Sequence, residues 1–117
     1  MHLGLDVSER GSVTVLALRG EVDVSTAPRL RQGLVELATE GRPSVVVDLS
    51  GVEFLDSTGL GVLVSGLRRF RLLGGDLILA DAQPRILRVL EITRLDRAFD
   101  VYDAVDAAVA AVAAKGA

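Results

Sequence analysis

The run Val45-Val46-Val47-Asp48-Leu49 narrows the fold most, because it is apolar without alternating. A strand with one wet face alternates, whereas a continuous apolar run marks a strand covered on both faces. A helical pattern follows it. Leu60, Leu63, Val64 and Leu67 share one side of a helix that starts near Ser57, while Arg68, Arg69 and Arg71 leave the core side. Gly74-Gly75 ends that helix, and Leu77-Ile78-Leu79-Ala80 reads as the next central strand.

The flanks extend the same alternation. Leu3 to Ser8 and Val13 to Arg19 read as two strands around the turn residues Glu9-Arg10-Gly11-Ser12, which favours an antiparallel hairpin. Gly20-Glu21-Val22-Asp23 reads as a loop. Ser25 or Thr26 caps the next helix, with Pro28 in its first turn and Leu30, Leu34 and Leu37 on its inner face. Gly41 and Pro43 stop it. Later, Asp81-Ala82-Gln83-Pro84 opens a third helix that turns Ile86, Val89 and Leu90 inward. Ala98 to Tyr102 gives a short last strand, and Asp103 caps a final Ala-rich helix carrying Val105, Val109 and Val112. The pattern predicts one α/β domain spanning residues 1–117, with a mixed sheet, an N-terminal antiparallel hairpin and about four packed helices.

Composition removes several function classes. Half the residues are hydrophobic and only 3% aromatic, so Val, Leu, Ile and Ala fill the core and no stacking platform for single-stranded nucleic acid is available. The net charge of -3 provides no global basic field, so direct nucleic-acid binding is not expected. There is no cysteine, hence no disulfide or thiolate chemistry. No secretory signal or bilayer-spanning run is visible, so the expectation is a cytoplasmic protein with no membrane partner.

Catalytic readings of Asp56-Ser57-Thr58-Gly59-Leu60-Gly61 fail on their parts. A nucleophile elbow needs Gly-x-Ser-x-Gly, but Leu55 stands where the first glycine belongs, and His2, the only histidine, lies at the terminus. Gly59-x-Gly61 lacks the third glycine of a dinucleotide fingerprint, where Val64 stands, and no phosphate-binding loop exists. Asp48, Asp56, Asp76 and Asp81 are scattered, without His or Cys, so no metal site or cofactor is expected. Asp48 remains an alternative as a phosphoacceptor in a receiver-like domain, yet Glu21 and Asp23 are not an adjacent acidic pair and no internal lysine exists. The other reading of Asp48 is an acid that binds loop amides. Ser57 is then a helix N-cap, a substrate hydroxyl, or both.

The segment Asp48 to Gly61 resembles the core signature of STAS domains, in particular bacterial anti-sigma factor antagonists. Leu18-Arg19-Gly20-Glu21-Val22-Asp23 with Thr26-Ala27 and Leu30, and Ile92 to Phe99, are similar to that family's first loop and late turn. The resemblance implies a non-enzymatic partner switch. The unphosphorylated form binds an anti-sigma factor serine kinase and frees the sigma factor. Phosphorylation of Ser57 ends the binding, and a serine phosphatase restores it. The same resemblance implies that Asp23 lies beside Ser57 and that Asp56, Thr58, Gly59 and Leu60 complete the kinase-facing surface. A STAS scaffold or sensor component that binds another signalling protein is the alternative within the fold. The family often carries glycine where Arg94 stands, and a turn requiring positive φ would strain arginine.

Overall fold

A computed structural model describes residues 2–116. Strand β1 (Leu3–Arg10) pairs antiparallel with β2 (Val13–Val22), and the chain then alternates through α1 (Ala27–Thr39), β3 (Ser44–Leu55), α2 (Ser57–Leu72), β4 (Asp76–Ala80) and α3 (Pro84–Ile92). A 3₁₀ turn (Leu95–Arg97), β5 (Val101–Tyr102) and α4 (Val105–Gly116) complete it. The sheet order is β1-β2-β3-β4-β5, with every pairing after the first parallel. Successive crossovers move one way across the sheet. Crossovers of one hand therefore put α1, α2 and α3 on one face.

Val45 to Val47 show why the apolar run was diagnostic. Val45 and Val47 join the large core with Leu30, Leu34, Leu63, Phe70 and Leu90, while Val46 joins a smaller core with Val13, Val15, Ile78 and Ala108 beneath α4. Alternate side chains thus enter opposite layers, and both layers are dry.

The strands run further than their sequence patterns. β1 continues through Glu9 and Arg10, so Gly11 and Ser12 alone make the turn, with Gly11 at φ +65°. Gly20-Glu21-Val22 is strand rather than loop, because it pairs with Val52, Phe54 and Leu55 of β3. β3 likewise extends from Leu49 to Leu55. Two register shifts, at Ala17/Arg19 and Gly20/Glu21, absorb the glycines and the acid that made both stretches look irregular. The last strand shrinks to Val101–Tyr102, since Leu95–Arg97 turns as 3₁₀ helix ahead of it.

Two local expectations are also revised. Thr26 holds the N-cap position of α1, as expected, but without a side-chain bond to the helix, while the cap expected of Ser57 falls instead to Asp56. On α2 the buried face is Leu60, Leu63, Leu67 and Phe70, with Val64 only partly covered. Arg94 adopts φ +62°, so the turn keeps its left-handed conformation despite lacking glycine.

Burial separates the leucines of α2 sharply: Leu63 is 0% exposed and Leu72 is 87% exposed. Leu63→Ala is expected to cost about 2–5 kcal/mol in denaturant unfolding, and Leu72→Ala about 0.5 kcal/mol or less. Equal losses would contradict this packing.

Candidate functional site

β3 outruns its neighbour β4. Asp48 lies level with Ala80, the last residue of β4, and β3 continues seven residues further to Leu55. From Ser50 onward the backbone partner of β3 is β2 alone. On the other side, Gln83 Nε2 donates to the Ser50 carbonyl (2.9 Å) and Arg85 Nη1 to that of Glu53 (3.4 Å). The result is a narrowing ledge, uncovered by β4, that carries the start of α2 outward.

Asp56 turns the chain from ledge to helix. Its backbone is extended, its Oδ1 accepts from Gly59 N (3.0 Å), and its carbonyl accepts from Leu60 N (2.9 Å). Asp56 is therefore the N-cap, and Ser57 is the first helical residue. Ser57 and Thr58 are exposed, and among the described residues the Ser57 hydroxyl has no hydrogen bond. The Ser57 and Thr58 N–H groups also lack partners among the described residues, so the positive end of a 16-residue helix opens beside that hydroxyl.

The end of β2 abuts this turn. Asp56 N donates to the Val22 carbonyl (3.1 Å). Gly59 permits the approach: a Cβ there would lie 2.6 Å from Val22 Cγ1 and 2.7 Å from Leu55 Cδ1. The loop beginning at Asp23 is thereby brought against the start of α2.

Asp23 is 6% exposed and committed internally. Its Oδ1 accepts from Ser25 Oγ (2.7 Å), Ser25 N (2.9 Å) and Thr26 N (3.1 Å), while the Thr26 hydroxyl donates to the Glu21 carbonyl (2.8 Å). Asp23 thus organises the loop ahead of α1, whose N-cap position is Thr26. The Ser25 hydroxyl, helped by the Thr26 and Ser25 amides, pulls its pKa below the usual value against the opposing effect of burial.

The five residues expected to form a binding surface differ in exposure. Thr58 is exposed and Asp56 half-buried, while Asp23, Gly59 and Leu60 are buried in the free protein. Sequence reading passed over two neighbours, Val24 (72% exposed) and Phe54 (44% exposed). A large apolar residue beside a charged loop residue was the only signal available for either. Asp48 lies within β3 rather than near its end, and its Oδ1 accepts from Ser50 N (3.0 Å). Lys115, the one lysine, pairs with Asp100.

Residues 5–108 match the family model of the STAS domain. The chain belongs to the STAS domain family. It is 36% identical over 89 residues to the anti-sigma-B factor antagonist of Bacillus subtilis (strain 168), covering 76% of this chain and 81% of that protein. The corresponding protein of Staphylococcus epidermidis is 33% identical over 89 residues, covering 76% of this chain and 82% of that one. Among solved structures, an anti-sigma factor antagonist from Mycobacterium paratuberculosis superposes with a TM-score of 0.87 at 32% identity, over 95% of this chain and 94% of that one. The family assignment carries the mixed sheet and the packed helices with it. No helix among the described residues is long and apolar enough to cross a membrane.

Two measurements check these roles. Asp56→Ala is expected to lower stability by about 1 kcal/mol through loss of the cap, whereas Ser57→Ala should change it by about 0.5 kcal/mol or less. For Asp23, the folded-state pKa lies below the unfolded value of roughly 4. Its contribution is therefore complete above that pH and lost as pH falls towards the folded pKa. In urea unfolding, the advantage of wild type over Asp23→Asn should shrink as pH falls below about 4. A pH-independent difference would remove the carboxylate from this role.

Proposed function

We propose that this protein is an anti-sigma factor antagonist whose binding to an anti-sigma factor is switched off by phosphorylation of Ser57. The observation that carries the reading is Ser57 itself: exposed, free of the capping task, and at the outer end of the ledge. The likeness to anti-sigma-B factor antagonists supports the class of partner. In this reading the partner is also the serine kinase, a serine phosphatase resets the switch, and the protein acts in the cytoplasm as substrate and binding module without catalysis of its own.

The physical basis of the switch is local. Phosphorylation adds about -1.5 to -2 charges at pH 7. The open N-terminus of α2 stabilises that charge, and Asp56 continues to hold the cap, so the fold survives. A docked surface would have to desolvate the dianion beside the Asp56 carboxylate. Val24 and Phe54 supply exposed apolar area for the unphosphorylated complex.

The test incubates the protein with ATP and a candidate anti-sigma factor kinase and maps the product by mass spectrometry. Acid-stable phosphate on Ser57 is the expected result. Modification elsewhere with Ser57 untouched would overturn the reading, and a hydroxylamine-labile product would point to an acyl phosphate on Asp48. Ser57→Ala should keep binding, and Ser57→Asp should weaken it on the order of a hundredfold. Phe54→Ala and Val24→Ala should each weaken binding about tenfold, without changing the fold.

A further inference from the structure

The arginines of this chain differ in what they hold. Arg10 pairs with Asp106, Arg19 with Asp6, Arg42 with Glu9 and Arg71 with Asp76, while Arg29 and Arg85 hold backbone carbonyls. Arg31 on α1 and Arg68 and Arg69 on α2 are exposed and make no ion pair among the described residues. Arg88, Arg94 and Arg97, also without ion pairs, are interspersed along the chain with Glu91 and Asp96. By contrast, α2 contains three arginines and no acid, in a chain of net charge -3.

Arg31, Arg68 and Arg69 border two shallow depressions that meet at Ser65. One lies between α1 and α2, with Arg31, Val35, Ser65 and Arg69 in its lining. Gly66 lets the two helices close beneath it, since a Cβ there would lie 2.8 Å from Leu34 Cδ1. The other, of about 360 Å³, is lined by Ser65, Arg68, Arg69, Leu72 and Leu73. No aspartate or glutamate lines either depression. Leu73 is 61% exposed, and Leu72 is the most exposed large hydrophobic residue among those described. The dipole of α2 favours arginine in its last turn. It gives no reason for Arg31 in the first half of α1, and none for leucines in water.

Charge selects the occupant. We propose that this face binds an acidic amphipathic helix of a protein partner. The carboxylates of that helix lie between Arg31 and Arg69 and beside Arg68, and its apolar residues cover Leu72 and Leu73. A second copy of this chain in a symmetric contact would bring arginines against arginines. An anionic bilayer would act on the whole molecule and repel its net charge of -3. A helix that touches this face alone senses the arginines, because screening limits each charge to about 8 Å at physiological salt. Ser57 and Leu72 stand about 22 Å apart along the axis of α2. Phosphate on Ser57 therefore leaves this second surface open.

The probe is a peptide of about 18 residues, patterned as an amphipathic helix of glutamates and leucines with a single tryptophan. The chain has no tryptophan, so the fluorescence reports the peptide alone. Saturable binding is expected. Arg31→Glu combined with Arg69→Glu should weaken it at least tenfold, and Leu72→Ser about tenfold, with unchanged circular dichroism because all three side chains are exposed. Should the charge reversal fail to fold, Arg69→Gln takes its place and should weaken binding about threefold. Ser57→Asp should leave the affinity unchanged, and a peptide with lysine in place of glutamate should not bind. Absence of saturable binding, equal binding of the two peptides, or undiminished binding by the charge-reversed protein would overturn the proposal. So would loss of binding in Ser57→Asp, which would put the peptide at the serine. Co-sedimentation with phosphatidylserine vesicles that the charge reversal abolishes would make the face a membrane site and overturn it too.

Discussion

The Ser57 end of the molecule depends on one close approach, that of the first turn of α2 to the end of β2. Gly59 lies so near Val22 and Leu55 that no Cβ fits, and the Asp56 N–H completes the contact at the Val22 carbonyl. From this contact follow the position of the Asp23 loop, the direction in which α2 leaves the ledge, and the exposure of Ser57. A helix standing further out would separate the Asp23 loop from the serine. A helix starting one residue later would spend Ser57 on capping.

The division of labour between Asp56 and Ser57 is the chemical counterpart. If the serine were the cap, phosphorylation would disturb the helix start it stabilises. With Asp56 in that role, Ser57 can change charge while the hydrogen bond to Gly59 persists. The helix terminus favours an added anion, yet the neighbouring carboxylate and the apolar Val24 and Phe54 disfavour burying one. In the switch proposed above, the intramolecular and intermolecular consequences of phosphorylating Ser57 therefore have opposite signs, as a partner switch requires.

Much of this was legible in the residues, and the reason is patterning. The apolar run at Val45 to Leu49 announced a doubly covered strand, and the leucine spacing of α1 and α2 announced their inner faces. The strand extensions were not legible, because Gly20, Glu21, Ser50 and Gly51 carry turn chemistry that tertiary pairing overrides. The α2 cap was misplaced by one residue, from Asp56 to Ser57, because Ser and Asp both serve there, and only the backbone decides which is extended. Gly59 and Leu60 belonged to the motif, but the motif alone did not reveal that both are buried in the free protein. Arg94 shows the converse: an arginine takes the left-handed conformation (φ +62°) that glycine adopts most easily, which the residue type alone would not announce.

The ledge also explains how one sheet can expose its tip beside the serine while the rest of its length stays covered. Beyond Asp48 the pairing of β3 is with β2 alone, so the sheet narrows towards Ser57 and exposes its tip. β1 runs antiparallel to β2, so its first residue lies near this tip, while Val7 faces Leu16 well below it. The Leu3 carbonyl, nearest the tip, is the one closed off by Arg29, and the open backbone groups begin at Leu5. Arg29 therefore seals the backbone of β1 at the end that lies beside the serine.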